Sequence, residues 1–157
     1  MERTVQWTLV LLRIAMGWLF FYAGITKVLD PAWSAAGYLR GAKTFTPLYQ
    51  WFASSGNIGW VNFVNEWGLT VLGISLMLGI GVRLSSVLGV ALMLLYYFPI
   101  LEFPGVGHGY LVDEHVVYAF ALLVLAAGRA GRIFGLDAWC AGLPICSRYP
   151  RLRMLLG

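Results

Sequence analysis

Residues 60–82 (WVNFVNEWGLTVLGISLMLGIGV) form an apolar run interrupted by one carboxylate, Glu66. A helix rises about 1.5 Å per residue, and about 20 residues cross the roughly 30 Å hydrocarbon core of a bilayer. The run is therefore long enough to span a membrane. A carboxylate there costs about 2.5–3.5 kcal/mol at mid-membrane and less near the interface. A residue kept at that cost is a functional candidate, and Glu66 is not isolated. Lys27, Glu102, His108, Asp113, Glu114 and His115 fall at the ends of neighbouring apolar segments.

With 60% of its 157 residues hydrophobic and 11% charged, the chain has too much apolar surface for a water-soluble domain of this size. The formal charge of +4 is spread along the flanks of the apolar segments. That pattern fits membrane topology rather than nucleic-acid binding.

Hydropathy predicts four spans, at about 5–29, 60–82, 84–101 and 113–128, with Asp113 as the N-cap of the last. The expected fold is an all-α, polytopic membrane four-helix bundle over residues 1–137, followed by a basic cytoplasmic tail over 138–157. The first span carries Arg13 and lacks a small-residue cleavage site, so it reads as a retained helix rather than a signal peptide. The connection between the first two spans (DPAWSAAGYLRGAKTFTPLYQWFASSGNIG) is rich in aromatics and broken by Gly and Pro. It predicts short interfacial helices or a re-entrant hairpin. From Gly131 the chain reads as a polar, arginine-bearing tail, with Cys140 and Cys146 as reduced thiols.

Arg3, Arg83, Arg129, Arg132, Arg148, Arg151 and Arg153 lie on one side of this arrangement, and only Lys27, Arg40 and Lys43 on the other. The positive-inside bias puts both termini in the cytoplasm and the acid-and-histidine cluster outside. Helical phase then aligns Arg13, Gly17, Phe20, Gly24 and Lys27 on one stripe about 21 Å long. Glu66, Thr70, Gly73 and Met77 share a stripe on the second span, and His115, Tyr118, Leu122, Ala126 and Arg129 on the fourth. Charged residues face the bundle interior and glycines allow close approach of helices. The stripes predict an outer polar chamber holding Lys27, Glu66 and His115 and an inner cationic one holding Arg13 and Arg129.

Each residue has a structural alternative. Lys27 and Glu66 form either a register-fixing ion pair or a polar site. His115 is either a hydrogen-bonded core residue or a proton-active imidazole beside carboxylates. Asp113 caps a helix or relays protons. Arg13 snorkels to the near face or binds a ligand. The spacing of Asp113, Glu114, His115 and His108 matches no strong metal signature, so no metal site is expected.

Three stretches, LLRIAMGWLFFYAGITKVLDP, EWGLTVLGISLMLGIGVRLSS and VDEHVVYAFALLVLAAGRAGRIFGLD, resemble the DoxX/DoxD family of small four-helix membrane proteins. AAGYLRGAKTFTP and FVNEWG are similar to its DoxD branch, which includes the membrane subunit of thiosulfate:quinone oxidoreductase. The resemblance covers about residues 11–137. It implies a prokaryotic cell-membrane protein that passes electrons from a small sulfur compound such as thiosulfate to membrane quinone. A separately encoded soluble partner is implied too, and the family-like polar residues are Lys27, Glu66, Arg83, His115 and Asp137. On this reading quinone is a substrate, and no tightly bound cofactor is expected. Its headgroup lies among the first, second and fourth helices, flanked by Tyr118, Trp67 and Phe21. Lys27 or His115 donates to it, and Glu66 or Asp113 relays protons. The alternative is a non-catalytic module, alone or as a homo-oligomer, that binds lipid or a partner protein and stabilises a larger complex.

Overall fold

The computed structural model describes residues 2–106 and 109–142. His108, Cys146, Arg148, Arg151 and Arg153 lie outside the described residues. The chain is mainly helical. α1 (Arg3–Val28), α4 (Ile58–Leu78) and α5 (Val82–Ile100) are long and apolar enough to cross a membrane. Between α1 and α4 lie two short helices, α2 (Ala36–Arg40) and α3 (Thr46–Phe52). The connection thus holds short helices, one of the two expected forms. After α5 come three two-residue strands paired antiparallel, β1 (Leu101–Glu102), β2 (Gly105–Val106) and β3 (Gly109–Tyr110).

The fourth predicted span is shorter than expected. α6 (Glu114–Ala127) has 14 residues, about 21 Å of helix against the roughly 30 Å of a hydrocarbon core. Its start is fixed by Asp113, whose side chain accepts from the Val116 amide and so satisfies one orphan donor of the first turn. α1 packs closely on α4 and α5 on α6, while α4 meets α5 and α1 meets α6 less extensively. Leu9, Met16, Phe20, Leu69, Leu76, Leu122 and Leu125 fill the space between them.

Glycine sets the α1–α4 distance. A Cβ on Gly73 would stand 2.6 Å from the Gly17 carbonyl oxygen and 2.6 Å from Phe21 Cα, both backbone. A Cβ on Gly17 would stand 2.8 Å from the Met77 amide nitrogen. The two backbones touch along this stripe, as small residues permit in lipid, where the hydrophobic effect does not drive helices together.

One end of the bundle is held by the segment predicted to be a polar tail. Residues 130–132 form a 3-10 turn and α7 (Leu136–Ala141) follows, with Gly131 and Asp137 fully enclosed. The turn from α4 to α5 runs through Gly79 (φ 69°) and Gly81 (φ 62°), left-handed conformations that glycine adopts without strain. Asp137 accepts from the amides of Gly81 (2.7 Å) and Val82 (3.2 Å), capping the start of α5. Arg13 donates to the carbonyls of Ala130 (2.5 Å), Ile133 (3.1 Å) and Phe134 (3.3 Å). The guanidinium is 2% exposed, so it neither snorkels nor shares an inner chamber with Arg129, which is exposed. A planar fork of donors finds three acceptors in a non-helical turn, and that removes the need to reach water.

The other end is held by α2 and α3. Pro99 has no amide proton, so the Leu95 carbonyl four residues before it lacks its helical donor. The Tyr49 hydroxyl supplies one at 3.1 Å. Tyr38 donates to the Tyr96 carbonyl, the Lys43 amide to the Pro99 carbonyl (2.8 Å) and Thr44 to the Leu101 carbonyl (2.7 Å). The α2–α3 segment therefore satisfies the orphan carbonyls at the end of α5. Its own small core of Leu39, Ala42 and Tyr49 packs on Val61 of α4 and Phe98 of α5.

Candidate functional site

Beneath α2 and α3, where α4 and α5 contact each other little, lies a cavity of about 650 Å³. That volume is in the range of about 300–1,000 Å³ usual for small-molecule sites. Its walls are mostly aromatic and aliphatic, among them Trp33, Tyr38, Phe52, Trp60, Val64, Leu92 and Leu95. Besides Ser34 and the tyrosine hydroxyls, its polar groups are Lys27 from the last turn of α1, Asn65 from α4, and Glu114 and His115 from the first turn of α6.

Lys27 reaches the cavity because Gly24, one turn earlier, lets α1 lie against the backbone of α4 at Glu66 and Thr70. Its ammonium donates to Asn65 Oδ1 at 2.8 Å. It also lies 4.8 Å from the centre of the Trp33 ring and 5.5 Å from that of Tyr96, within cation–π range. An ammonium has three donors. Two of them have no protein acceptor among the described residues.

His115 is held by the residue that starts its helix. Asp113 Oδ1 caps the Val116 amide at 3.1 Å, and Asp113 Oδ2 meets His115 Nδ1 at 2.5 Å. A carboxylate on Nδ1 selects the tautomer with its proton there and leaves Nε2 as the basic nitrogen. The His115 ring stands edge-on to Tyr96, centroids 5.8 Å apart. The Tyr96 hydroxyl is buried beside Asn65 without a well-formed hydrogen bond. Lys27, Tyr96 and His115 also border a second cavity of about 130 Å³, which Tyr118 helps to line. Outside the long helices, burial pushes the Tyr38 phenol up to about 12, reinforced by Tyr49, Asp113 and Glu114. Burial likewise raises the Tyr49 phenol.

Of the predicted residues, Lys27, Asp113, His115 and Tyr118 gather at this end of the bundle. Glu66 does not join them directly. The ion pairs at this end of the bundle join Lys43 to Glu102 and His115 to Asp113. The Glu66 carboxylate acts on Lys27 only across space, and neither cavity is lined by it. Trp67 is exposed and Phe21 lies beside Trp18, centroids 5.9 Å apart, and neither lines a cavity. Arg13 lies about 21 Å along α1 from Lys27. Its terminal nitrogens are engaged by backbone carbonyls. Among the described residues no group of three His, Cys, Asp or Glu side chains comes together.

Sequence reasoning missed Asn65, Trp33, Tyr38 and Tyr96. Asn65 was legible in principle, as the polar residue in phase with Leu69, Leu72 and Leu76, all buried. Tyr96 and Tyr38 carry no such signal, because aromatics are common at membrane interfaces.

No curated protein and no solved structure matches the chain. A family model described as DoxX matches residues 8–100, which run from the first turns of α1 to the end of α5 and include Lys27, Asn65 and Tyr96. That is more than half of the chain, and with its three long apolar helices this protein is a membrane protein belonging to the DoxX family.

Proposed function

We propose that this protein is the membrane subunit of a quinone-linked oxidoreductase and that the larger cavity takes the quinone headgroup. The observation that carries the reading is the pairing of Lys27 and the Asp113–His115 couple at one end of an otherwise apolar, aromatic-walled cavity. A quinone has the same division, two carbonyl oxygens on a flat apolar ring. Lys27 donates to one oxygen with a free N–H. Reduction to quinol takes two electrons and two protons, and His115, oriented by Asp113, takes each proton from water at Nε2 and passes it to a quinone oxygen. Glu66 supports the charge on Lys27 from a distance. The electrons come from a donor such as thiosulfate, directly or through a separately encoded soluble partner.

In this proposal α6 is the fourth membrane crossing. It runs from His115, beside Lys27, to the 130–134 turn, beside Arg13. Both termini are then cytoplasmic, in a prokaryotic cell membrane, and the cavity is at the outer side. A second reading, a lipid-binding or complex-stabilising module without turnover, draws on the structural work the same residues do. Asp113 is a helix cap and Lys27 cross-links α1 to α4. Purification with lipid extraction and a quinone-reduction assay separates the two. Co-purified quinone, and turnover with thiosulfate that is lost in His115→Gln, support the oxidoreductase. Phospholipid alone, with no reduction by any donor or partner extract, supports the module.

A further inference from the structure

The cavity does not end inside the protein. Val64 of α4 and Leu95 of α5 both line it, and both are exposed. Each also belongs to the outward face of its helix. Val64 continues the exposed set Trp60, Trp67 and Val71, and Leu95 continues Leu84 and Leu88. Recurrence at three, four or seven residues keeps such a set on one side of a helix. One wall of the cavity therefore opens onto the faces of α4 and α5 that meet lipid.

The opening has a definite depth. Val64 is six residues in from the start of α4, about 9 Å along the axis, and Leu95 is five residues from the end of α5, about 7.5 Å. The headgroup zone occupies only about 5–7 Å on each side of the hydrocarbon core. In a bilayer whose headgroup zone begins at the ends of α4 and α5, that depth is among acyl chains. Above it the α2–α3 segment bridges the two helices. Tyr49 bonds to the Leu95 carbonyl, and the small core under α2 and α3 packs on Val61 and Phe98.

We infer that the cavity is a lateral portal loaded from the bilayer between α4 and α5, and that its occupant carries a long apolar tail which leaves between Val64 and Leu95. The inference rests on the quinone reading for the identity of the headgroup, and it adds the class of the ligand. The substrate is a tailed, membrane-dissolved quinone, its head at Lys27 and His115 and its tail in lipid. A water-soluble solute arriving from the aqueous side is not the expected occupant. The apolar walls leading to the opening offer a tail continuous contact with Trp60, Val64, Leu92 and Leu95.

The test uses the full-length protein in lipid nanodiscs and a quinone analogue with a photoreactive diazirine midway along its tail. Irradiation of the wild type is expected to label residues near positions 60, 64 and 95, and tail-less duroquinone in excess is expected to suppress the labelling. Labelling confined to the α2–α3 segment or to residues 101–106 would overturn the portal. Labelling at the portal that duroquinone does not suppress would leave the portal standing and overturn the headgroup site. Narrowing the portal gives an independent reading. Val64→Trp and Leu95→Trp are expected to weaken binding of the long-tailed quinone at least tenfold more than that of duroquinone. If either folded variant binds both ligands as the wild type does, or loses affinity for both equally, the portal is wrong. Should one variant fail to fold, the other and the wild-type labelling decide.

Discussion

Lys27 takes Asn65, not Glu66, as its partner, donating to the amide oxygen at 2.8 Å. The two candidates are adjacent in sequence and about 100° apart around α4, so their side chains leave the helix in different directions, and Lys27 reaches the amide. A hydrogen bond to a charged group contributes about 1.5–3 kcal/mol. Asn65→Leu should therefore destabilise the protein by about that amount and abolish ligand binding at the cavity. Glu66→Gln should cost less than Asn65→Leu, since the ammonium of Lys27 is bonded to the amide and not to the carboxylate. Thermal unfolding in detergent checks both, and a larger loss from Glu66→Gln than from Asn65→Leu would reverse the assignment.

That one-residue difference shows what a sequence discloses about such a site. Hydropathy located α1, α4 and α5, and the spacing of Gly17 and Gly24 disclosed the face of α1 that meets α4. Charge drew attention to Glu66, whereas the Lys27 ammonium bonds to Asn65, and an amide draws less notice than a carboxylate. Asp113 was legible as a cap, because an aspartate before an apolar periodic run has few other uses. Its bond to His115 was not, since it depends on the side-chain torsions of the first turn. The burial of residues 130–137 was hidden for another reason. Arginine near the end of an apolar span reads as a topological signal, whereas Arg13 turns inward to carbonyls more than a hundred residues away. Nothing local in GRAGRIFGLD announces that its carbonyls will be collected.

The proline in α5 makes a second prediction. Tyr49 is 2% exposed and its hydroxyl serves the carbonyl that Pro99 strands. Tyr49→Phe leaves that acceptor unpaired, at a cost of about 1–3 kcal/mol. In a Pro99→Ala background the helix amide returns, so the same substitution should cost markedly less. A double-mutant cycle on thermal stability measures this directly. Additive effects would mean that the tyrosine is not replacing the missing amide.

Glycines on α4 should divide sharply. Gly73→Ala pushes a methyl group into the backbone of α1 at Phe21 and Gly17. Overpacking of this kind costs about 1–3 kcal/mol. A Cβ on Gly68 would meet nothing within 4 Å. Gly68→Ala should be neutral, or stabilising by up to about 1 kcal/mol through helix propensity. Equal effects of the two substitutions in a detergent melt would contradict the close α1–α4 contact.

The alkaline limb of stability should report on Tyr38. Its phenol is raised to about 12 in the folded protein, first by burial and then by Tyr49, Asp113 and Glu114, against about 10 for an unfolded chain. The folded state then holds the proton more tightly. The contribution is complete below about pH 10 and is lost as the pH rises towards about 12. Deprotonation also removes the donor to the Tyr96 carbonyl. Stability of the wild type should fall more steeply over this interval than that of Tyr38→Phe. Parallel curves would show that another group sets the alkaline limit.

In the proposed site Lys27 and the Asp113–His115 couple grip a quinone headgroup in one cavity. Trp33 and Trp60 line that cavity, so bound quinone should quench their fluorescence. The most direct measurement is a quenching titration of purified wild type, Lys27→Met and His115→Gln with a short-tailed quinone, each variant first matched to the wild type in thermal stability. Saturable quenching of the wild type, weakened at least tenfold in both variants, is the predicted result. Saturation at the same quinone concentration in all three proteins, or no saturable quenching in the wild type, would contradict it.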